Sequence, residues 1–422
     1  MSDFTLKQCA DYINEKIYVK DISLQNYITT DNILQNKQGV QTALSLPAQE
    51  GKLNAFKKDD ILLANIRPYL KKIWYADFNG GCSADVLAIR AKENTDSRFL
   101  FYALFRDDFF VHAMKGAKGT KMPRGDKSQI MEFKIPKFNL PTQKSIAHIL
   151  STLDQKIAIN NQINAQLEQM AKTLYDYWFV QFDFPDENGK PYKSSGGEMV
   201  YNDTLKREIP KGWEAQKISH WLQSDKSGDW GKEIQEGNYT LQVNCIRGAD
   251  INAVNFQGNI EAPIRFILPK NKHKLLSSFN LVVEISGGSP TQSTGRLALI
   301  SDYVLNRFDF PVICSNFCKA ISLKNTDYFY QFVFMWNAIY KNDILFDWEG
   351  KTSGIKNLLF ENFTEGYYEC YPPLDLAKKF FEIADVFHKQ QQFLLKQNQQ
   401  LAQLRDFLLP MLMNGQVGVD GG

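Results

Sequence analysis

Leu140-Pro-Thr-Gln-Lys-Ser-Ile-Ala-His-Ile-Leu-Ser-Thr-Leu-Asp-Gln-Lys-Ile157 opens a run whose every third or fourth residue forms one stripe. The stripe reads Ile146, Leu150, Leu153, Ile157, Asn160, Asn164, Leu167, Ala171, Leu174, Trp178, apolar but for two asparagines. That period predicts an amphipathic helix over 146–178. Shifted by 234 residues the stripe returns as Phe380, Ala384, Phe387, Gln391, Leu394, Asn398, Leu401, Arg405, Leu408, Leu412, with Asn398 in the place of Asn164. Each helix follows a mixed globular segment, so the chain is predicted to repeat itself with internal two-fold symmetry. Pro141 suits the first turn of the first helix and Pro185 stops it. Asp375 is the predicted cap of the second helix, over 380–412; Asn414-Gly415 closes it and Pro410 bends it.

The 422 residues are too many for one core, and 44% hydrophobic content with 13% aromatics is that of an ordinary folded protein. The predicted class is α+β: two mixed domains related by a pseudo-two-fold, joined by two long antiparallel coiled-coil helices. The first domain covers 1–140, the first helix 141–185, an exposed connector 186–208, the second domain 209–371, and the second helix with a tail 372–422. The predicted seam comprises Leu150, Leu153, Ile157, Asn164, Leu167, Leu174, Phe387, Leu394, Asn398, Leu401 and Leu408. Burying such side chains contributes about 1–2 kcal/mol each, and a buried asparagine penalises slipped registers.

The two globules match in order. Asp60–Ile66 and Val86–Ile89 read as strands, Arg98–Arg106 as an aromatic helix, and Met131–Ile135 as a last strand. In the second globule, Asn280–Ile285 answers the first strand, Cys314-Ser315 answers Cys82-Ser83, and Asp327–Tyr340 answers the aromatic helix. The connector, with Ser194-Ser-Gly-Gly197, reads as solvated.

Between Lys115 and Lys127 five basic residues (Lys115, Lys118, Lys121, Arg124, Lys127) face one acid, Asp126, and are interleaved with glycines and Thr120. Glycines let a backbone approach phosphate and the cations neutralise it. Arg67, Lys71 and Lys72 follow a strand end and are assigned to the same face. In the second globule the candidates are Lys272 and Lys274, the polar loop residues Ser289, Thr291 and Gln292, then Arg296, and Lys351, Thr352 and Lys356 of a second glycine loop. Duplex DNA rewards a doubled reader, because it offers half-sites about a helical turn apart. The net charge of +2 argues neither for nor against such a partner.

No catalytic constellation is visible. Gly350-Lys-Thr352 resembles the end of a phosphate loop, but Leu345 stands where its first glycine belongs. The five histidines are scattered, so no metal site is predicted. Cys314 and Cys318, four apart, read as buried small residues, and the six cysteines as reduced thiols of a cytoplasmic protein. No apolar run approaches the ~20 residues of a membrane span.

Four stretches carry a family likeness: Phe56–Tyr69 with Gly80–Leu87; Leu140–Ile157 running on to Leu174; Tyr177-Trp-Phe-Val-Gln-Phe-Asp183; and Ile209-Pro-Lys-Gly-Trp213. Together they resemble the specificity subunits of type I restriction-modification enzymes over essentially the whole chain. That resemblance implies two target-recognition domains, each reading half of a bipartite, asymmetric double-stranded DNA site, and paired helices that set the unread spacer. It implies a non-catalytic subunit without a cofactor of its own. Two modification (methyltransferase) subunits would bring S-adenosylmethionine, and restriction (motor-nuclease) subunits would bring ATP and Mg. The second helix departs from the family pattern, being rich in glutamine (Gln390-Gln-Gln392, Gln397, Gln399-Gln400). The competing expectation is a coiled-coil scaffold or adaptor that makes no DNA contact.

Overall fold

The computed structural model describes residues 3–48, 50–119, 121–287, 291–352 and 355–418, with Lys351 and Thr352 described by their backbone alone. The chain divides into two compact units, Met1–Lys156 with Leu401–Gly422, and Ile157–Gln400. This division differs from the sequence partition because it cuts through both long helices: each unit includes part of each helix.

In the first unit a four-stranded antiparallel sheet has the order Ala10–Tyr12, Val86–Ala91, Ile61–Ala64, Ile73–Tyr75. Ile61, Leu63, Leu87 and Ile89 point into one core with the aromatic helix Ser97–Phe105. Asp96 caps that helix, its carboxylate accepting the Phe99 N–H at 2.8 Å. The alternate strand residues Leu62, Ala64, Val86 and Ala88 face a second core, as the period of two requires. A second sheet joins Lys16–Tyr18, Lys52–Phe56, Gly80–Cys82 and Tyr27–Ile28, the last pair parallel.

The second unit repeats this plan. Its four-stranded antiparallel sheet runs Leu222–Ser227, Cys318–Leu323, Asn280–Glu284, Leu297–Ile300. A parallel pair again closes the second sheet, here Leu241–Ile246 with Val312–Cys314. The turns before the matching strands are built alike: Asp60 accepts the Lys57 N–H at 2.7 Å, and Asn280 accepts that of Ser277 at 3.0 Å. The expected repeat is therefore present at the level of strand order, where the sequences themselves have diverged.

The first long helix is Leu140–Tyr175, extended by a π turn, Asp176–Val180. Asn139 caps it through the Thr142 N–H at 2.9 Å. The chain leaves the helix at Phe182, whose φ is +65°, so the exit precedes Pro185. The second long helix is Leu374–Met413. Asp375 lies within its first turn instead of capping it, and Pro410 sits inside its last. Gly415, at φ +64°, ends it: Gln416 N–H reaches the Met411 carbonyl and Gly415 N–H that of Leu412.

Within the second unit the two helices run antiparallel past one another. Asn160 donates to Asn398 at 2.8 Å and to Gln397 at 2.7 Å, while Asn398 donates to Asn161 at 2.8 Å. Farther along, Gln391 donates to the Asn164 carbonyl at 3.1 Å. The polar partner of Asn398 is thus Asn160. Asn164 keeps a buried, unpartnered amide, because antiparallel register puts it level with Leu394. Among the seam residues Leu150, Leu394 and Asn398 are buried; Leu153, Ile157, Leu167, Leu174, Phe387, Leu401 and Leu408 are partly so. In the first unit Arg405 binds Asp154 at 2.8 Å and lies over the Phe105 ring.

Each globule is tied to a long helix by the same device. Tyr102, on the aromatic helix of the first unit, donates to Asp154. Tyr330, on the aromatic helix Phe329–Lys341 of the second, donates to Asp385 at 2.7 Å.

Two local expectations need correcting. Residues Lys127–Met131 form a short helix capped by Asp126, and the last strand is Lys134–Pro136. The supposed connector contains a hairpin, Met199–Asn202 with Arg207–Pro210, which the polar composition had concealed. The six cysteines are free and buried, and burial pushes the thiols of Cys82, Cys314 and Cys318 up to about 12. Among the described residues no group of His, Cys, Asp and Glu has the arrangement of a metal site, and no helix is long and apolar enough to cross a membrane.

Candidate nucleic-acid interface

In the first unit, helix Asp107–Lys115 delivers the chain into the glycine loop. Lys118 and Arg124 exchange backbone hydrogen bonds of 3.0 and 2.9 Å, which close the loop on itself. Its base is pinned to the strand end: Arg67 N–H reaches the Pro123 carbonyl at 2.7 Å and Gly125 N–H that of Asn65 at 3.1 Å. Arg67 occupies the left-handed region at φ +53°, as does Lys71 at +51°, and between them lies the turn Pro68–Leu70. Sequence-distant Arg67 is thereby brought to the loop, as expected.

The loop cations differ in freedom. Lys115, Lys121 and Lys127 are exposed and have no ion pair among the described residues. Lys118 stands 3.7 Å from Asp126 with its side chain 86% exposed. Arg124 meets Asp85 at 3.0 Å and is 60% exposed. Such solvated pairs exchange readily for phosphate. Lys71 and Lys72 do not belong with them. Lys71 binds Asp107 at 3.1 Å, a carboxylate it shares with Lys37. Lys72 donates to the Thr30 carbonyl, and burial lowers its pKa. Thr120 lies outside the described residues. Tyr69 and Met122, both exposed, flank the cations on this face; as single apolar residues in loops they left no periodic signal.

The second unit treats its matching cations otherwise. Arg296 makes a bidentate pair with buried Glu284 at 2.8 and 2.7 Å, and its side chain is 17% exposed. Lys356 binds buried Glu349 at 3.0 Å, lies over Phe346, and is equally enclosed. Both are therefore structural charges, neutralised from within. The glycine loop here is a hairpin, Glu349–Thr352 with Ile355–Leu358, to which Ser286-Gly287 adds a third strand. Lys351 and Thr352 lie on that hairpin; their side chains, like Ser289, fall outside the described residues. Thr291 is exposed, and Gln292 donates to the Tyr340 hydroxyl at 3.3 Å.

Lys272 is exposed without an ion pair among the described residues, on the turn Pro269–Lys274. Lys274 turns inward to the Gly228 carbonyl at 2.9 Å. Next to this turn the structure reveals a feature that sequence reasoning missed. Asn271 donates to Asp229 at 2.6 Å, and Trp230 stacks on the guanidinium of Arg265 at 3.8 Å. Only glycine fits at 228, since a Cβ there would stand 2.0 Å from the Ser315 carbonyl. Trp230 and Arg265 are 35 residues apart in the sequence, and no motif joins them. The second unit thus offers a flat aromatic–cation surface beside Lys272, where the first offers flexible lysines.

Residues 1–169 match the family model described as the type I restriction modification DNA specificity domain. The chain belongs with the type I specificity subunits. The MjaIX specificity subunit of Methanocaldococcus jannaschii is 24% identical over 407 residues, 95% of this chain and 86% of that one. The HindI specificity subunit of Haemophilus influenzae is 33% identical over 169 residues, 37% of this chain and 36% of its own length. A crystal structure of a type I restriction-modification S subunit from M. genitalium has 16% identity and a TM-score of 0.57, covering 98% of this chain and 96% of that one. At that identity the likeness shows the fold.

Proposed function

We propose that the chain is the non-catalytic DNA-specificity subunit of a type I restriction-modification complex. Its two units each read part of a bipartite, asymmetric duplex site. The long helices carry both units as an antiparallel coiled coil and hold the partner modification subunits, which bring S-adenosylmethionine, and the motor-nuclease subunits, which bring ATP and Mg. One observation carries this reading: the same strand order and the same tyrosine–aspartate tie occur twice on two long helices, in a chain whose first 169 residues match a DNA specificity domain. In the first unit Lys115, Lys118, Lys121, Arg124 and Lys127 bind phosphates. In the second, Lys272 and the Trp230–Arg265 stack meet the duplex.

Affinity of the assembled complex for genomic duplexes against shuffled ones of equal composition tests the reading. Sequence preference of 10³-fold or so at fixed salt is expected of a specific reader. Equal affinity for both pools contradicts it. The scaffold reading draws support from one finding, the internal neutralisation of Arg296 and Lys356. It predicts no duplex binding by the complex at all.

A further inference from the structure

A groove of about 540 Å³ lies in the first unit where the end of the second long helix meets strand Lys134–Pro136 and helix Asp107–Lys115. Phe133 and Met413 are buried beside it, and Val111 stands 59% exposed at its edge. Its cations are Arg106, paired with Asp108, and Lys115 and Lys134, which have no ion pair among the described residues.

The second unit shows what such a place accommodates. By the 234-residue shift, Phe133, Lys134 and Met413 correspond to Tyr367, Tyr368 and Phe179. There the surface is covered by the segment that follows the first long helix. Phe179 lies 6.1 Å from Trp213, whose ring meets Phe182 edge-on at 5.3 Å and stacks with Phe184 at 5.4 Å. Arg207 from the same segment lies over Phe182 and binds Glu369 at 3.3 Å. Among the described residues of the first unit no counterpart of Phe182, Phe184 or Trp213 exists. The charge has also changed: Lys134 replaces Tyr368.

We propose that this groove is a docking site for an extended segment of a partner protein that presents aromatic rings on either side of a carboxylate, as Phe182-Asp183-Phe184 are spaced here. The rings lie against Phe133 and the Met413 thioether, a favourable sulfur–aromatic contact, and the carboxylate meets Lys134. The same internal repeat that supplies the occupant in one unit leaves the site for another chain in the other. The proposal extends the assembly reading but is separable from it, because its test contains no DNA-binding step.

The probe is a fluorescent peptide with the chain's own residues 180–186, Val-Gln-Phe-Asp-Phe-Pro-Asp, titrated into the full-length protein and read by anisotropy. Saturable binding is expected, weakened about tenfold or more by Val111→Asp and by Lys134→Glu. Replacing both phenylalanines of the peptide by alanine should abolish it. Both substituted side chains are exposed, so an unchanged melting temperature certifies each variant. Absence of saturation overturns the proposal, as does binding indifferent to both variants. Displacement of the peptide by a duplex oligonucleotide, lost in Lys134→Glu, also overturns it by assigning the groove to DNA.

Discussion

The glycine loop of the first unit and the glycine hairpin of the second occupy the same place in the repeat, yet their cations do opposite things. In the first, Lys118 and Arg124 point into solvent beside loosely held carboxylates. In the second, Arg296 and Lys356 are enclosed against Glu284 and Glu349. A charge held by a buried partner cannot leave it for phosphate without stranding that partner in low dielectric. Equal composition therefore conceals unequal function: one loop offers its charge outward, the other consumes it in folding.

The most severe way to break this comparison is Arg296→Ala. It leaves Glu284 buried and uncompensated, so the second unit should lose about 3–5 kcal/mol, measured by denaturant unfolding. Lys118→Ala, by contrast, should stay within about 0.5 kcal/mol of the parent. Comparable losses in the two variants would erase the distinction.

The tyrosine ties sharpen it further. Tyr330→Phe leaves Asp385 without its phenolic donor, at a cost of about 1.5–3 kcal/mol. Tyr102→Phe should cost less, since Asp154 keeps Arg405 at 2.8 Å. A larger loss for Tyr102→Phe would reverse the assignment of the stronger tie.

Next in size is the triple variant Lys118→Ala, Lys121→Ala, Arg124→Ala. If all three meet phosphate, the slope of log affinity against log salt for the assembled complex should flatten by roughly 2.7, about 0.9 for each contact. Lys356→Ala should leave that slope alone.

The smallest effect concerns His388, which receives or donates a hydrogen bond with Ser301 at 2.8 Å inside the second unit. Burial, reinforced by nearby Arg307, lowers its pKa to about 3, so it is neutral when folded. Unfolding restores the ordinary value near 6.5. Protonation thus favours the unfolded chain, and stability present above pH 6.5 falls as the pH drops toward 3. The contribution changes by about 1.4 kcal/mol per pH unit in that window. His388→Gln should flatten this portion of a stability–pH profile; an unaltered slope would place the dependence elsewhere.

What could be read beforehand follows from these contrasts. The long helices, the doubled strand order and the Cys82–Cys314 correspondence were legible because burial on one face imposes a period on sequence. The loop cations were legible as types but not as roles. Nothing local to Arg296 reveals that Glu284 will stand opposite it across a sheet edge, or that Trp230 will find Arg265. The pairing of Asn398 with Asn160, instead of Asn164, was hidden for a related reason. A stripe tells which residues face inward, while register depends on the partner helix. The hairpin within 199–210 was missed because its residues alternate weakly and most remain solvated.

The most direct test of the central claim is a map of methylated bases in the genome that carries this gene, with the gene intact and with it deleted. The account predicts that one split, asymmetric motif disappears on deletion. An unchanged pattern of methylation would contradict it.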